Sequence, residues 1–250
     1  MAQTPEAELA EAVERLLTAG SYTFEERQLP VSSPANTQPP RPRPPTRARG
    51  EATIGGFTVA DVEGFRVMEF ENNLAFLLPD DTWRHSKDMT PDDLQSLRRK
   101  STQSSSPKLL QYSLARHTVV FPHKVLELIV QYGRNVRKVG TTYTGDLPDT
   151  EARNLSAYLL RSPARLPPRS SSVGLFRKDD PRTSCSFTVL TSRGAISEVS
   201  LEHTMIGLVP GEGGSLEKRT LTTEYNFRLS RIGTTVVQVP PEAEAILRVR

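Results

Sequence analysis

Few residues of this 250-residue chain are of types that carry chemistry, and their spacing decides what that chemistry could be. His85, His117, His123 and His203 are candidates for metal ligation or proton transfer. A helical zinc site needs two histidines four residues apart around a glutamate, and none of the four has such a partner. His203 falls on an otherwise apolar strand pattern, which reads as a core histidine with its hydrogen bonds satisfied. Asp80-Asp81, Asp92-Asp93 and Asp179-Asp180 could offer oxygen ligands to Mg2+. Each pair adjoins a proline, however, where turn formation and helix capping account for aspartate. Cys185 is the single cysteine, so an intrachain disulfide and a cysteine metal cluster are both excluded, and its strand context reads as a small buried apolar residue. Gly55-Gly56 and Gly211-Glu212-Gly213-Gly214 lie within or between strands, whereas a phosphate cradle needs a strand-to-helix turn. GxSxG, GxxxxGK[ST] and CxxC are absent. No catalytic set, metal site or cofactor is expected, and an enzyme here would have to use residues without a motif.

The elements that would position a site begin with a helix. Thr4 suits its N-cap, Pro5 its first turn, Glu6 and Glu8 its positive end, and Gly20 its stop. Leu9, Val13 and Leu16 form one stripe. Residues 21–26 then alternate, with Tyr22 and Phe24 on one face. Residues 53–61, 65–71 and 74–78 read as a β-meander, the first run interrupted by Gly55-Gly56. A polar helical piece near Thr90-Pro91 and a serine-rich gap over 101–106 precede a second helix over 122–132, with Val125, Leu126, Ile129 and Val130 on its apolar side and Gly133 as its stop. Strands are expected again over 136–143, 154–161, 184–191, 195–205 and 219–229. The order is helix, strand, meander, helix, meander, which argues against a parallel sheet with crossover helices. The predicted fold is α+β: a curved antiparallel β-sheet packed on one or two helices.

Twenty prolines and a mean hydropathy of -0.44 indicate that part of the chain is not core. Residues 30–49 hold seven prolines with Arg41, Arg43, Arg47 and Arg49, and residues 162–182 form a second Pro/Arg/Ser-rich stretch. Such segments bury too little surface to offset their ordering entropy and read as disordered excursions. The chain therefore divides into residues 1–29 (N-terminal helix and first strand), the insertion 30–49, and a main domain 50–246 carrying the excursion 162–182. The net charge is only +3, and aromatics are hardly interleaved with the arginines, so nucleic acid is not expected as a partner. The longest apolar run, residues 74–78, is far too short to span a bilayer. As it stands, without an apolar leader, the chain reads as cytoplasmic; an upstream signal would make it extracytoplasmic.

Residues 221–243, expected to form the last strand pair, read LTTEYNFRLSRIGTTVVQVPPEA: a strand, a Gly-x-x-Val-x-Val-like run and a proline-capped end. This resembles the C-terminus of actinobacterial lipoproteins of the LppX/LprG kind, which share the half-barrel of the lipoprotein carrier LolA. Residues 67–83, a strand pair leading into Trp83, are similar to that group's corresponding segment. The helix 122–132, the strand through Val139 and Gly140, and the Arg193-Gly194 hairpin follow in the same order. Phe76 stands where the group usually has tyrosine, and its signal peptide and lipidated cysteine have no counterpart here. The resemblance implies a half-barrel whose concave face encloses an apolar cavity for acyl chains, lined by Phe70, Phe76, Leu78, Leu126, Val130, Phe187, Val199, Leu201 and Tyr225. It implies a non-enzymatic protein binding a lipid or another hydrophobic molecule. The alternative from the residues themselves is an interaction scaffold that meets a protein partner through its Pro/Arg-rich segments.

Overall fold

The computed structural model describes residues 3–31, 46–62, 65–71, 73–90, 92–93, 96, 121–159, 182–210 and 216–248. Helix α1, Pro5–Ala19, begins where expected: the Ala7 N–H donates to Thr4 Oγ1. It ends as Gly20 takes a left-handed φ of 76°. Its stripe of Leu9, Ala12, Val13 and Leu16 is buried, and the chain enters β1, Ser21–Val31, without a linker.

Among the described residues, eleven strands form one open antiparallel sheet. They are β1, then β2 (Thr46–Thr53), β3 (Thr58–Val62), β4 (Phe65–Phe70), β5 (Asn73–Leu77), β6 (Trp83–His85), β7 (Arg134–Val139), β8 (Thr142–Leu147), β9 (Arg182–Ser192), β10 (Ala195–Pro210) and β11 (Leu216–Ser230). Their order is β6-β5-β4-β3-β2-β1-β11-β10-β9-β8-β7. The N-terminal strands fan out one way from β1 and the C-terminal strands the other, with β1 and β11 joining the halves.

Helix α2, Pro122–Tyr132, and helix α3, Asp149–Leu159, share one face of the sheet with α1: α1 packs on α2, β7 and β10, and α3 on β9 and α2. Helix α4, Pro241–Arg248, covers β4, β5 and β6 from the other side. We call the face under α1 to α3 concave. One of its rungs runs Leu229, Phe24, Gly50, Ala60, Val67, Phe76 across six strands. A second runs Tyr143, Val189, Val199, Phe227.

Two glycines let large rings lie on this face. A Cβ on Gly50 would sit 2.6 Å from the Phe24 ring, and one on Gly145 would sit 2.6 Å from Phe187. Glycine within a strand permits a bend and close approach, and an aromatic ring laid over it restores the lost packing.

Three sequence expectations are corrected. Residues 149–159 are helical where a strand over 154–161 is expected; Pro148 precedes Asp149 and Glu151 in the first turn, and Ala152 and Leu155 are buried on one side. The single strand expected over 136–143 is the hairpin β7–β8, turned at Gly140 with φ of 60°. The C-terminal run is not a strand pair: β11 ends at Ser230, and α4 starts on Pro241 with Glu242 and Glu244 in its first turn. The described residues thus hold four helices rather than one or two. Of the insertion 30–49, the two ends belong to β1 and β2, while residues 32–45 lie outside the described residues, as do 101–106 and 162–181.

Candidate ligand-binding face

Seven of the nine residues expected to line a cavity fall in one buried cluster on the concave side: Phe76, Leu78, Leu126, Phe187, Val199, Leu201 and Tyr225. The register explains the grouping. Leu201 lies opposite both Phe187 and Tyr225, so three neighbouring strands place them on one rung. The other two are placed elsewhere. Val67 pairs with Phe76 on the concave face, and Phe70, three residues on, has the opposite parity. It stacks on Phe57 at 4.5 Å, in the separate cluster beneath α4. Val130 lies near the end of α2 and is 41% exposed.

The concave side also holds polar groups that apolar pattern reading passed over. Glu26 and Glu69 are buried on it. The signal for Glu26 was available: Tyr22, Phe24 and Glu26 are consecutive members of one alternation. His123, at the start of α2, is buried with its Nδ1 2.6 Å from the Tyr22 hydroxyl, and the two rings meet edge-on. Burial chiefly, with Lys124 nearby, holds its pKa down to about 4, so it is neutral at pH 7. His203 is the core histidine its pattern suggests: Nε2–H donates to the Ala152 carbonyl at 3.2 Å, tying α3 to β10. Burial lowers its pKa, opposed by that bond. Cys185, opposite His203, has its thiol pushed up to about 12 by burial and is no nucleophile at neutral pH.

At the outer margin, Glu8 of α1 accepts hydrogen bonds from Lys138 and from the Tyr143 hydroxyl, holding the helix to the β7–β8 hairpin. The aspartate pairs within the described residues do local work. Asp80 accepts from the Thr82 N–H and hydroxyl, and Asp93 from those of Thr90. Among the described residues no three His, Cys, Asp or Glu side chains gather into a metal site, and no helix is long and apolar enough to cross a membrane. A depression of about 420 Å³ lies on the exposed side of α1, lined by Glu11, Glu14, Arg15, Thr18 and Ala19, and is not part of the concave face.

No family model and no curated protein matches this sequence. Among solved structures, the crystal structure of a LolA superfamily protein from Nitrosomonas europaea is similar. The two chains are 8% identical, the match covers 96% of each, and the TM-score is 0.30.

Proposed function

We propose that the concave face holds an apolar molecule of acyl-chain type, and that the protein binds rather than transforms it. The supporting observation is the run of apolar rungs from β5 to β8, in which Glu26, Glu69 and His203 are buried polar members and His203 holds α3. A curved sheet roofed by helices can admit a chain by separating the helices from the sheet, with no strand pairing lost. Residues nearest the entering chain are Phe187, Leu201 and Tyr225 on the sheet and Leu126 on α2.

Native mass spectrometry of the purified protein tests this reading. Lipid-sized adducts that a short-chain detergent displaces are the expected result, together with saturable binding of a fluorescent fatty acid in vesicle-free solution. Absence of both would sink the proposal.

A further inference from the structure

The open sheet has two outer strands, and they are finished differently. Strand β6 is three residues long, and α4 packs against it. Strand β7 is six residues long and pairs with β8 alone among the described residues. The backbone N–H and C=O groups of β7 that point away from β8 meet no other backbone among those residues. An edge of this length runs about 20 Å and is a template for one more strand.

The side chains of β7 select what that strand can be. Arg134, Arg137 and Lys138 are exposed, and the strand carries no acid. Lys138 is neutralised by Glu8 of α1. Arg134 and Arg137 form no ion pair among the described residues; Asp146 stands opposite Arg134 without closing one, and Arg137 faces Thr144. Two positive charges thus lie beside open backbone donors and acceptors.

The same stretch gathers exposed apolar groups. The exposed large apolar side chains among the described residues are Val130, Tyr132, Val139 and Val236, and three of these four lie within ten residues. Val130 and Tyr132 are in the last turn of α2, from which Gly133 leads into β7. Val139 is 79% exposed and lies two positions beyond Arg137, on the same side of the sheet. Single apolar side chains scattered over a surface need no explanation, whereas a group flanking an open edge marks a contact.

Cations on an edge strand ordinarily guard against self-association. Here, two copies pairing antiparallel about Arg137 would set it against its own image, a repelling pair. A strand of opposite charge meets no such barrier. Added antiparallel, a segment with the pattern aliphatic-x-acid would place its aliphatic residue opposite Val139 and its acid opposite Arg137. Asn135, with φ of 54°, interrupts the β7–β8 register between Arg134 and Arg137, which leaves residues 136–139 as the regular part of the edge.

We propose that β7 accepts an extended acidic segment of another protein as an added antiparallel strand, a carboxylate of that segment meeting Arg137 and an aliphatic side chain covering Val139. Docking there is independent of what the concave face holds.

Amide NMR of the full chain, titrated with the capped peptide Thr-Val-Thr-Glu-Thr-Glu, tests it. Shifts concentrated on residues 134–139 and slowed hydrogen exchange of β7 amides are expected, both fading at about 1 M salt. The same peptide with Lys in place of Glu should bind about fivefold more weakly or worse. Arg137→Glu should reverse that preference and favour the Lys peptide. Its melting temperature should stay that of the parent, because Arg137 is exposed and faces Thr144. Two further Glu peptides, N-methylated at alternate amides in opposite phase, separate strand addition from charge attraction. One should bind and the other should not, because only alternate N–H groups of an added strand face β7. Equal binding of the two methylated peptides, equal binding of the Glu and Lys peptides, or an Arg137→Glu variant with the parent's preference would each overturn the proposal. So would shifts centred away from β7, no binding at millimolar peptide, self-association through β7, or tighter binding to an RNA duplex or anionic vesicles than to the Glu peptide. Fatty-acid binding can fail without touching any of these outcomes, so the two readings fall separately.

Discussion

Away from the apolar cluster that α4 covers on β4 to β6, the two faces of the sheet are built from the same strands by alternate residues, yet they are held by different forces. On the concave face neighbouring strands present Phe, Leu, Val, Ala and Gly to one another and to three helices. On the convex face one rung reads Glu198, Arg228, Glu25, Arg49, Asp61, Arg66 across six consecutive strands, alternating in sign at every step. The first removes apolar surface from water and supplies most of the stability. The second stays wet, so its pairs contribute little energy, but each is satisfied in only one register, because a one-residue slip exchanges the faces. The contrast between energy and register is open to direct test.

The largest effect is expected from adjacent residues of β9. Phe187 is buried on the concave face, whereas Thr188 faces the other way. Phe187→Ala should cost about 3–5 kcal/mol, the usual loss for an aromatic deleted from a packed core. Thr188→Ala should stay within about 0.5 kcal/mol. Urea unfolding of the two variants measures both, and comparable losses would show that the two faces are not energetically distinct.

The pH dependence of stability should also come from the concave side. His123 has a folded pKa of about 4 against an ordinary 6.5, so between those values the unfolded chain binds the proton and the folded chain does not. Stability from this group is complete above about pH 6.5 and falls as pH drops toward 4, by about 1.4 kcal/mol per unit in mid-window. Urea midpoints at pH 7, 6 and 5 read that slope. His123→Gln removes the titration and should flatten it, at the expense of a weaker partner for Tyr22; an unchanged slope would place the acid sensitivity elsewhere.

A third test concerns the bend. Gly145→Ala would put a Cβ 2.6 Å from Phe187 and 2.7 Å from the Arg134 carbonyl oxygen, so backbone must shift. A loss of about 1–3 kcal/mol is expected in thermal unfolding, partly recovered when Phe187 is shortened to Leu in the same chain.

These residues also show what the sequence could disclose. Alternation in Cys185, Phe187, Val189 and in Tyr225, Phe227 is a local signal, and the strands carrying it lie where the pattern places them. The Thr4 and Gly20 caps of α1 are equally local. The face on which a residue falls is legible within one strand, but matching faces between strands needs the register. Hence Phe70 was grouped with Phe76, although pairing of Val67 with Phe76 sends it to the other side. Helix α3 was hidden because its sequence, DTEARNLSAYL, is polar through its first half, where Ala152 and Leu155 alone offer too sparse an apolar stripe for a period of 3.6 to emerge. The Tyr22–His123 contact joins residues 101 positions apart, a separation no local pattern reports.

The smallest expected effect is on the convex ladder. Glu25 has Arg228 on one side and Arg49 on the other, with Arg49 Nε 3.1 Å from its carboxylate and both groups well exposed. Glu25→Lys would put three cations in a row, yet solvent screening should limit the loss to about 1 kcal/mol. The companion change Arg49→Glu restores alternation between β1 and β2 but places Glu opposite Asp61, so the double variant should recover only part of the loss. Pairing that leaves every step alternate requires reversal of the whole rung. A double-mutant cycle at low salt should give a coupling of about 0.2–1 kcal/mol that shrinks as salt is added. A coupling several times larger and insensitive to salt would mean that the convex face is a source of energy like the concave one. A small, salt-sensitive coupling leaves to the ladder the role of fixing which residues face inward.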